Sequence, residues 1–344
     1  MAKLSVDKIK NLKQKDETWE VAVRPARAWI RSQKKDPYRP WYVLVISDKD
    51  KILRHDMEKE KPTPQELLET IFRAMRRPMF GAGRKHRPTK ILFDNQEICN
   101  ELSPLLEEIG VQAEKKIALR KANVWLKDLD YKLSEGVNTP SLTALPSVTV
   151  PLLAKIFEAT AAYYRLAPWE MIPAEEFAIE VRYPADAEPR YVIIIGRTGE
   201  SFGLSVHDNL DALESFMAFA RYQKLPQKEF SAISFTFEGD FHLSFDDLDA
   251  AEKYGWDIPA KDAYPSIMRF TPGKELMPPT PDDIYWLEGA LPAITEFFRD
   301  DYVPDEFFPD LGAQQIEYKT IVQTLGGIKQ VALILPILIK QAPS

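Results

Sequence analysis

The chain is short of the residues that carry most recognisable chemistry. In 344 residues it has one cysteine, Cys99, and four histidines. One thiol cannot close an internal disulfide or build a multi-cysteine zinc site. Lying between Ile98 and Leu102, Cys99 reads as a buried structural thiol. No histidine spacing suits a metal, no serine sits in a nucleophile elbow, and no Gly-x-Gly-x-x-Gly follows a strand. Glycine is scarce, at 14 against 27 prolines, and the prolines are scattered, which excludes a low-complexity tract. Long hydrophobic runs are missing too. The longest, Val331 to Ile339, is broken by Pro336, whereas a membrane span needs about 20 apolar residues. The charged N-terminal residues lack the apolar core of a signal peptide, so a cytoplasmic location is the expectation.

What is present is an ordinary core-forming composition, 45% apolar, in a chain long enough for two domains. The net charge of −7 hides a split. Residues 1–150 carry 29 Lys and Arg against 21 Asp and Glu, while residues 151–344 carry 16 against 31. A basic half suits an acidic partner such as nucleic acid, and equally suits attraction between the halves.

A pattern of elements occurs twice. Trp19 to Arg24 and Phe177 to Arg182 both alternate as half-buried strands do. Each precedes an almost wholly apolar strand, Pro40 to Ile46 and Pro189 to Ile195, and then a third strand. A helix follows in each copy. Thr63-Pro64-Gln65-Glu66 is a capping box with proline at the first helical position. Asp208 is the expected cap of the second copy. Strand, helix and strand complete each unit, giving βββαβαβ twice. Helix crossovers would make the later strands parallel and both sheets mixed. Further helices are predicted near 122–133, 150–165 and 281–298, the last capped by Thr280-Pro281-Asp282-Asp283. Residues 315–335 around Gly326-Gly327 predict a β-hairpin, a surface for self-association if its edge is free.

This order resembles the ribonuclease H-like fold, and residues 17–135 resemble the catalytic core of integrases and transposases. The strands Glu17 to Val23 and Trp41 to Ile46 carry the likeness, with Phe93-Asp94-Asn95 and Glu107-Glu108-Ile109-Gly110-Val111. The resemblance implies two divalent metals held by carboxylates, the first of them midway along the first strand. That position is Ala22, which offers no oxygen. Asp94 matches the second carboxylate, and Asp128 and Asp130 stand near the third without a clear match. The first unit is thus expected to be a degenerate relative. In the second unit the corresponding positions are Glu180 and Thr236, with Glu238 beyond and Asp283 and Glu288 on the trailing helix. Asp94, Glu180, Glu238 and Asp283 are therefore the metal candidates. Against that reading, Glu180 is most simply a solvent-facing strand residue and Asp283 a helix cap. Separately, Ala161 to Glu170 and Ala263-Tyr264-Pro265 resemble segments of a bacterial protein family without an assigned activity.

The sharpest local feature is a basic run: Arg73, Arg76, Arg77, Arg84, Lys85, Arg87 and Lys90, with Phe80 in the loop between. Cations there could neutralise phosphates and Phe80 could stack on a base. The alternative is a helix end followed by a solvated loop. Gly196 to Gly203 reads as a hairpin turn, since it joins strand to strand. His55-Asp56 and His207-Asp208 recur, but adjacent strand residues point to opposite faces. The acidic, aromatic stretch Asp300 to Asp310 could dock a basic partner or be a solvated linker.

The sequence thus predicts an α/β protein of mixed sheets: a basic unit at 1–135, a linker at 136–148 and an acidic unit at 149–344 with its terminal hairpin. The leading functional reading is a non-catalytic scaffold or binding protein. Nucleic-acid binding by the basic unit and metal-dependent phosphodiester hydrolysis by the second are the alternatives. No cofactor is predicted.

Overall fold

The computed structural model of the chain describes residues 6–32, 35–133, 140–172, 177–222, 230–274, 276–302 and 315–338. It separates into two units, Met1–Asn138 and Thr139–Ser344. Of the expected linker, residues 136–139 lie outside the described part. Ser141 to Thr143 belongs firmly to the second unit. There the Asp247 carboxylate accepts from the Leu142 and Thr143 N–H groups at 2.9 and 3.0 Å.

The first unit runs α1 (Val6–Lys10), β1 (Thr18–Pro25), β2 (Ile30–Ser32), β3 (Lys35–Tyr38), β4 (Trp41–Ser47) and β5 (Ile52–Glu58). It continues with α2 (Pro64–Arg76), β6 (Lys90–Phe93), α3 (Gln96–Glu107), β7 (Gln112–Lys115) and α4 (Arg120–Leu133). Its five-stranded sheet has the order β5-β4-β1-β6-β7. β4 is antiparallel to β1 and β5, while β1, β6 and β7 are parallel, so this sheet is mixed as expected. Strand alternation explains the layers. Trp19, Val21, Val43 and Val45 face α2 and α3 in one core, and Ala22, Tyr42, Leu44 and Ile46 face α4 in another. Each large apolar side chain fully buried there contributes roughly 1.5–3 kcal/mol. The Thr63 capping box starts α2 as the sequence predicts. The small β2–β3 hairpin was not anticipated.

The second unit runs α5 (Val150–Leu166), α6 (Pro168–Met171), β8 (Phe177–Arg182), β9 (Arg190–Ile195), β10 (Gly203–His207) and α7 (Leu210–Tyr222). Then come β11 (Ala232–Glu238), α8 (Phe245–Tyr254), β12 (Tyr264–Phe270), α9 (Pro281–Asp300), β13 (Ile316–Thr324) and β14 (Gly327–Leu338). The order βββαβαβ is present again, but the sheet differs. Its seven strands, β12-β11-β10-β9-β8-β14-β13, are antiparallel at every pairing, which corrects the mixed sheet expected here. The reason lies in where the chain returns. His207 at the end of β10 pairs with Ala232 at the start of β11, so the excursion carrying α7 leaves and re-enters at one end of the sheet. Glu238 and Tyr264 close the α8 excursion the same way. A helix between two strands makes them parallel only when it crosses the full sheet.

Helices α5 and α9 bury one face of this sheet and α7 the other. The expected cap Asp208 is also corrected. Asn209 caps α7, its side chain accepting from the Ala212 N–H at 2.9 Å. The Gly196 turn joins β9 to β10 as a hairpin. β10 begins at Gly203, where φ is +151° and a Cβ would lie 2.0 Å from the Phe235 carbonyl oxygen, so only glycine fits. The C-terminal hairpin forms as predicted, and its strand β14 pairs with β8.

Candidate functional site

The loop between α2 and β6 is fixed at its base and open at its tip. Its main chain is tied by the Met79 N–H to Leu53 O, the His86 N–H to Met75 O and the Arg87 N–H to Lys13 O, each at 3.0 Å. Ala82 is buried in the α2–α3 core and holds the tip down. A buried polar knot secures the other side. His86 is 2% exposed and Glu17 5%. The His86 ring sets Nε2 2.9 Å from Glu17 Oε2 and Nδ1 2.7 Å from Arg84 O. Both neighbours, the Glu17 carboxylate and the Arg84 carbonyl, are hydrogen-bond acceptors that hold the ring in place. Lys49 Nζ reaches the other Glu17 oxygen at 2.8 Å. Burial pushes the Glu17 carboxyl up, but the hydrogen bonds from Lys49 and His86 outweigh it and hold its pKa at about 2. Nothing in the sequence pattern marks this pair, whose members stand 69 residues apart.

From this base the tip projects Phe80, which is fully exposed. The seven cations of the basic run do not act together. Arg87 is structural: its guanidinium donates to Leu12 O at 3.2 Å and to Ile109 O. Lys90 pairs with Glu114 at 2.8 Å, and Arg73 bonds Thr70 at 2.7 Å and lies 3.3 Å from Asp56. Arg76 is half-buried, with no hydrogen-bond partner for its Nε among the described residues. Arg77, Arg84 and Lys85 are exposed and make no ion pair among the described residues. They, with Phe80, are the groups a ligand could reach. Three cations and one free aromatic face on a braced loop can hold a polyanion that also carries flat rings.

The metal candidates do not assemble. Among the described residues no group of three or more His, Cys, Asp or Glu side chains could hold a metal ion. Asp94 is exposed at the end of β6; its packed surroundings raise its pKa, with Arg24 pulling the other way. Glu180 is 9% exposed, which corrects its expected solvent-facing place: α7 covers that face of the sheet. It accepts from Arg182 at 2.8 Å and from the Tyr191 hydroxyl at 3.3 Å. Glu238 accepts from the Thr236 hydroxyl at 3.2 Å. Asp283 closes the capping box with Thr280 and is fully buried between two arginines. Arg269 grips both its oxygens at 2.7 Å and Arg190 stands 3.3 Å away. Burial pushes the Asp283 pKa up, but the hydrogen bonds from Arg269 and Thr280 and the Arg269 charge together more than reverse that, so it lies below its ordinary value.

At the end of β1, where Ala22 leaves the first carboxylate position empty of oxygen, Arg24 on the same strand face meets Asp130 of α4 at 2.5 Å. The other Asp130 oxygen takes the Arg27 N–H at 3.0 Å. Asp128 pairs with Lys132 on the helix surface. Tyr42, opposite Arg24, is fully buried; burial and the nearby Asp130 charge push its phenol up to about 12. In the second unit His207 and Ser205 lie 3.0 Å apart but are sealed, at 0% and 4% exposure. Burial lowers the His207 pKa to about 4, and its Nδ1 has no hydrogen-bond partner among the described residues. An enclosed histidine without an orienting acceptor is not set up as a general base. Cys99 is buried, as expected. The acidic stretch from residue 303 lies outside the described residues. No helix among those described is long and apolar enough to cross a membrane.

Comparison with known proteins places both units beside families without an assigned role. Residues 5–129 match the family described as "Domain of unknown function (DUF6930)". Residues 154–306 match "Domain of unknown function (DUF7309)". No curated protein matches. Among solved structures, the chain is similar to one in the cryo-EM structure of the simian T-cell lymphotropic virus intasome in complex with PP2A regulatory subunit B56 gamma. The identity is 15% and the TM-score 0.26. The likeness covers 37% of this chain and 45% of that one, and at this level it carries no argument.

Proposed function

We propose that the chain is a non-catalytic binding protein whose first unit holds single-stranded nucleic acid on the loop between α2 and β6. The observation that carries the reading is that Phe80, Arg77, Arg84 and Lys85 are all exposed on one loop braced by the Glu17–His86 pair. A free aromatic face accepts any base, and uncommitted cations neutralise phosphates by releasing counterions. A fixed loop loses little freedom on binding. The basic balance of residues 1–150 attracts the same ligand.

The strand order and directions of the first unit support a ribonuclease H-like reading of its sheet. The Arg24–Asp130 ion pair supports loss of metal chemistry there, because a guanidinium already occupies the carboxylate at that end of the sheet. Binding without hydrolysis is the function these two features share.

The test is anisotropy of a labelled single strand with the intact protein and two variants. Phe80→Ala weakens binding roughly 5- to 150-fold, the range for one stacked base. Arg84→Ala with Lys85→Ala weakens it further at low salt. Variants that bind as tightly as the parent would remove the loop from the account.

A further inference from the structure

Among the described residues the second unit ends its sheet on a strand with no further strand beside it, and charges of opposite sign alternate along that strand. β13 is the last strand of the seven, hydrogen-bonded to β14 on one side. Its outer edge makes no backbone hydrogen bond among the described residues. Such an edge is a template for one more strand.

Side chains along β13 alternate between two surroundings. Tyr318 and Val322 pack toward the core beneath α9, and Thr320 donates to Glu296 there at 2.9 Å. Glu317, Lys319 and Ile321 face the other way and are exposed. Ile321 on this outward face is 65% exposed. Beside Glu317 and Lys319 lies an open hollow of about 710 Å³, so both side chains have room to turn.

We infer that this edge pairs, antiparallel, with β13 of a second copy of the chain, about a two-fold axis at Tyr318. A two-fold perpendicular to the sheet keeps each residue on its own face, so only a few registers are open. Centring on Glu317 or on Lys319 would set like charges directly opposite. Centring on Thr320 would set Lys319 against Ile321. Centring on Tyr318 sets Glu317 of each copy opposite Lys319 of the other, twice, with Ile321 over Gln315. Directly opposed residues lie about 4.5–5.5 Å apart at Cβ, nearer than two positions along one strand. The Glu317–Lys319 pair now closed within one chain at 2.9 Å can therefore be exchanged for two between chains. Charges on an edge usually discourage pairing, but of these four registers only the one centred on Tyr318 sets opposite charges face to face.

The experiment is sedimentation of the full chain over a wide concentration range, with circular dichroism confirming the fold of each variant. The parent self-associates to a dimer. Lys319→Glu places four carboxylates around the axis and raises the dimer dissociation constant at least about tenfold. The double exchange Glu317→Lys with Lys319→Glu restores the dimer, because it only reverses both pairs. Should a variant fail to fold, amide exchange on the parent decides. Protection of β13 backbone groups that rises with protein concentration supports the pairing, and unchanged exchange overturns it. A parent that stays monomeric, or a Lys319→Glu protein that dimerises like the parent, overturns it as well.

Discussion

Glu17→Ala lowers the stability of the first unit by about 3–5 kcal/mol, read as a lower urea midpoint. The cost is large because the substitution removes one partner of a buried set and leaves the rest. His86 is 2% exposed and would keep a ring nitrogen facing no acceptor. The Trp19 indole, 3.5 Å from the same carboxylate, would lose its neighbour too. Glu17→Gln keeps the volume and isolates the charge. The Glu17 pKa of about 2 lies below its ordinary value of 4.5, so its stabilisation is complete above about pH 4.5. It is lost as pH falls from there toward 2, and the Gln variant loses this part of the acid sensitivity. A Glu17→Ala cost below about 1 kcal/mol, the worth of a surface pair, would show that the loop is not anchored here.

Asp283→Ala has a comparable effect on the second unit, about 3–5 kcal/mol. Its side chain is fully buried and serves two purposes at once. As the third residue of the α9 capping box it accepts the Thr280 N–H at 2.8 Å. As a counter-ion it holds Arg269 and Arg190, whose side chains are only 20% exposed. Removing it leaves the two guanidiniums with Asp208 as their remaining carboxylate among the described residues, 41% exposed and farther off, at 3.5 and 3.4 Å. Asp283→Asn retains the cap and loses the charge, so it falls between parent and alanine. Urea unfolding followed by circular dichroism checks the order. Asn and Ala variants of equal stability would mean the arginines do not depend on this carboxylate.

Local rules were the legible part of the sequence. The capping boxes at Thr63 and Thr280, the apolar strands β4 and β9, and the Gly-Gly hairpin depend on neighbours within a few residues. Where two neighbours could do one job, the pattern was ambiguous: Asn209 caps α7 and leaves Asp208 to the arginines. The sheet of the second unit was illegible because a helix in the pattern does not state at which end the chain returns. Glu180 was misplaced because alternation with Ile179 and Val181 implies water on one face, and α7 covers that face. The candidate loop was half legible. Its cations stand out in the sequence, but nothing local separates Arg87, turned inward onto Leu12 and Ile109, from Arg84 three residues before it. The Glu17–His86 anchor joins distant positions and leaves no periodic trace.

The most direct test is the affinity of the intact protein for a labelled single strand, measured across a series of salt concentrations. Three uncommitted cations predict that log affinity falls with log salt at a slope near −2, about 0.7 for each phosphate neutralised. Replacing Arg77, Arg84 and Lys85 together by alanine should remove that slope, while Arg87, committed inside the fold, contributes none of it. Absence of binding at low salt, or a slope that survives the triple replacement, would contradict the account.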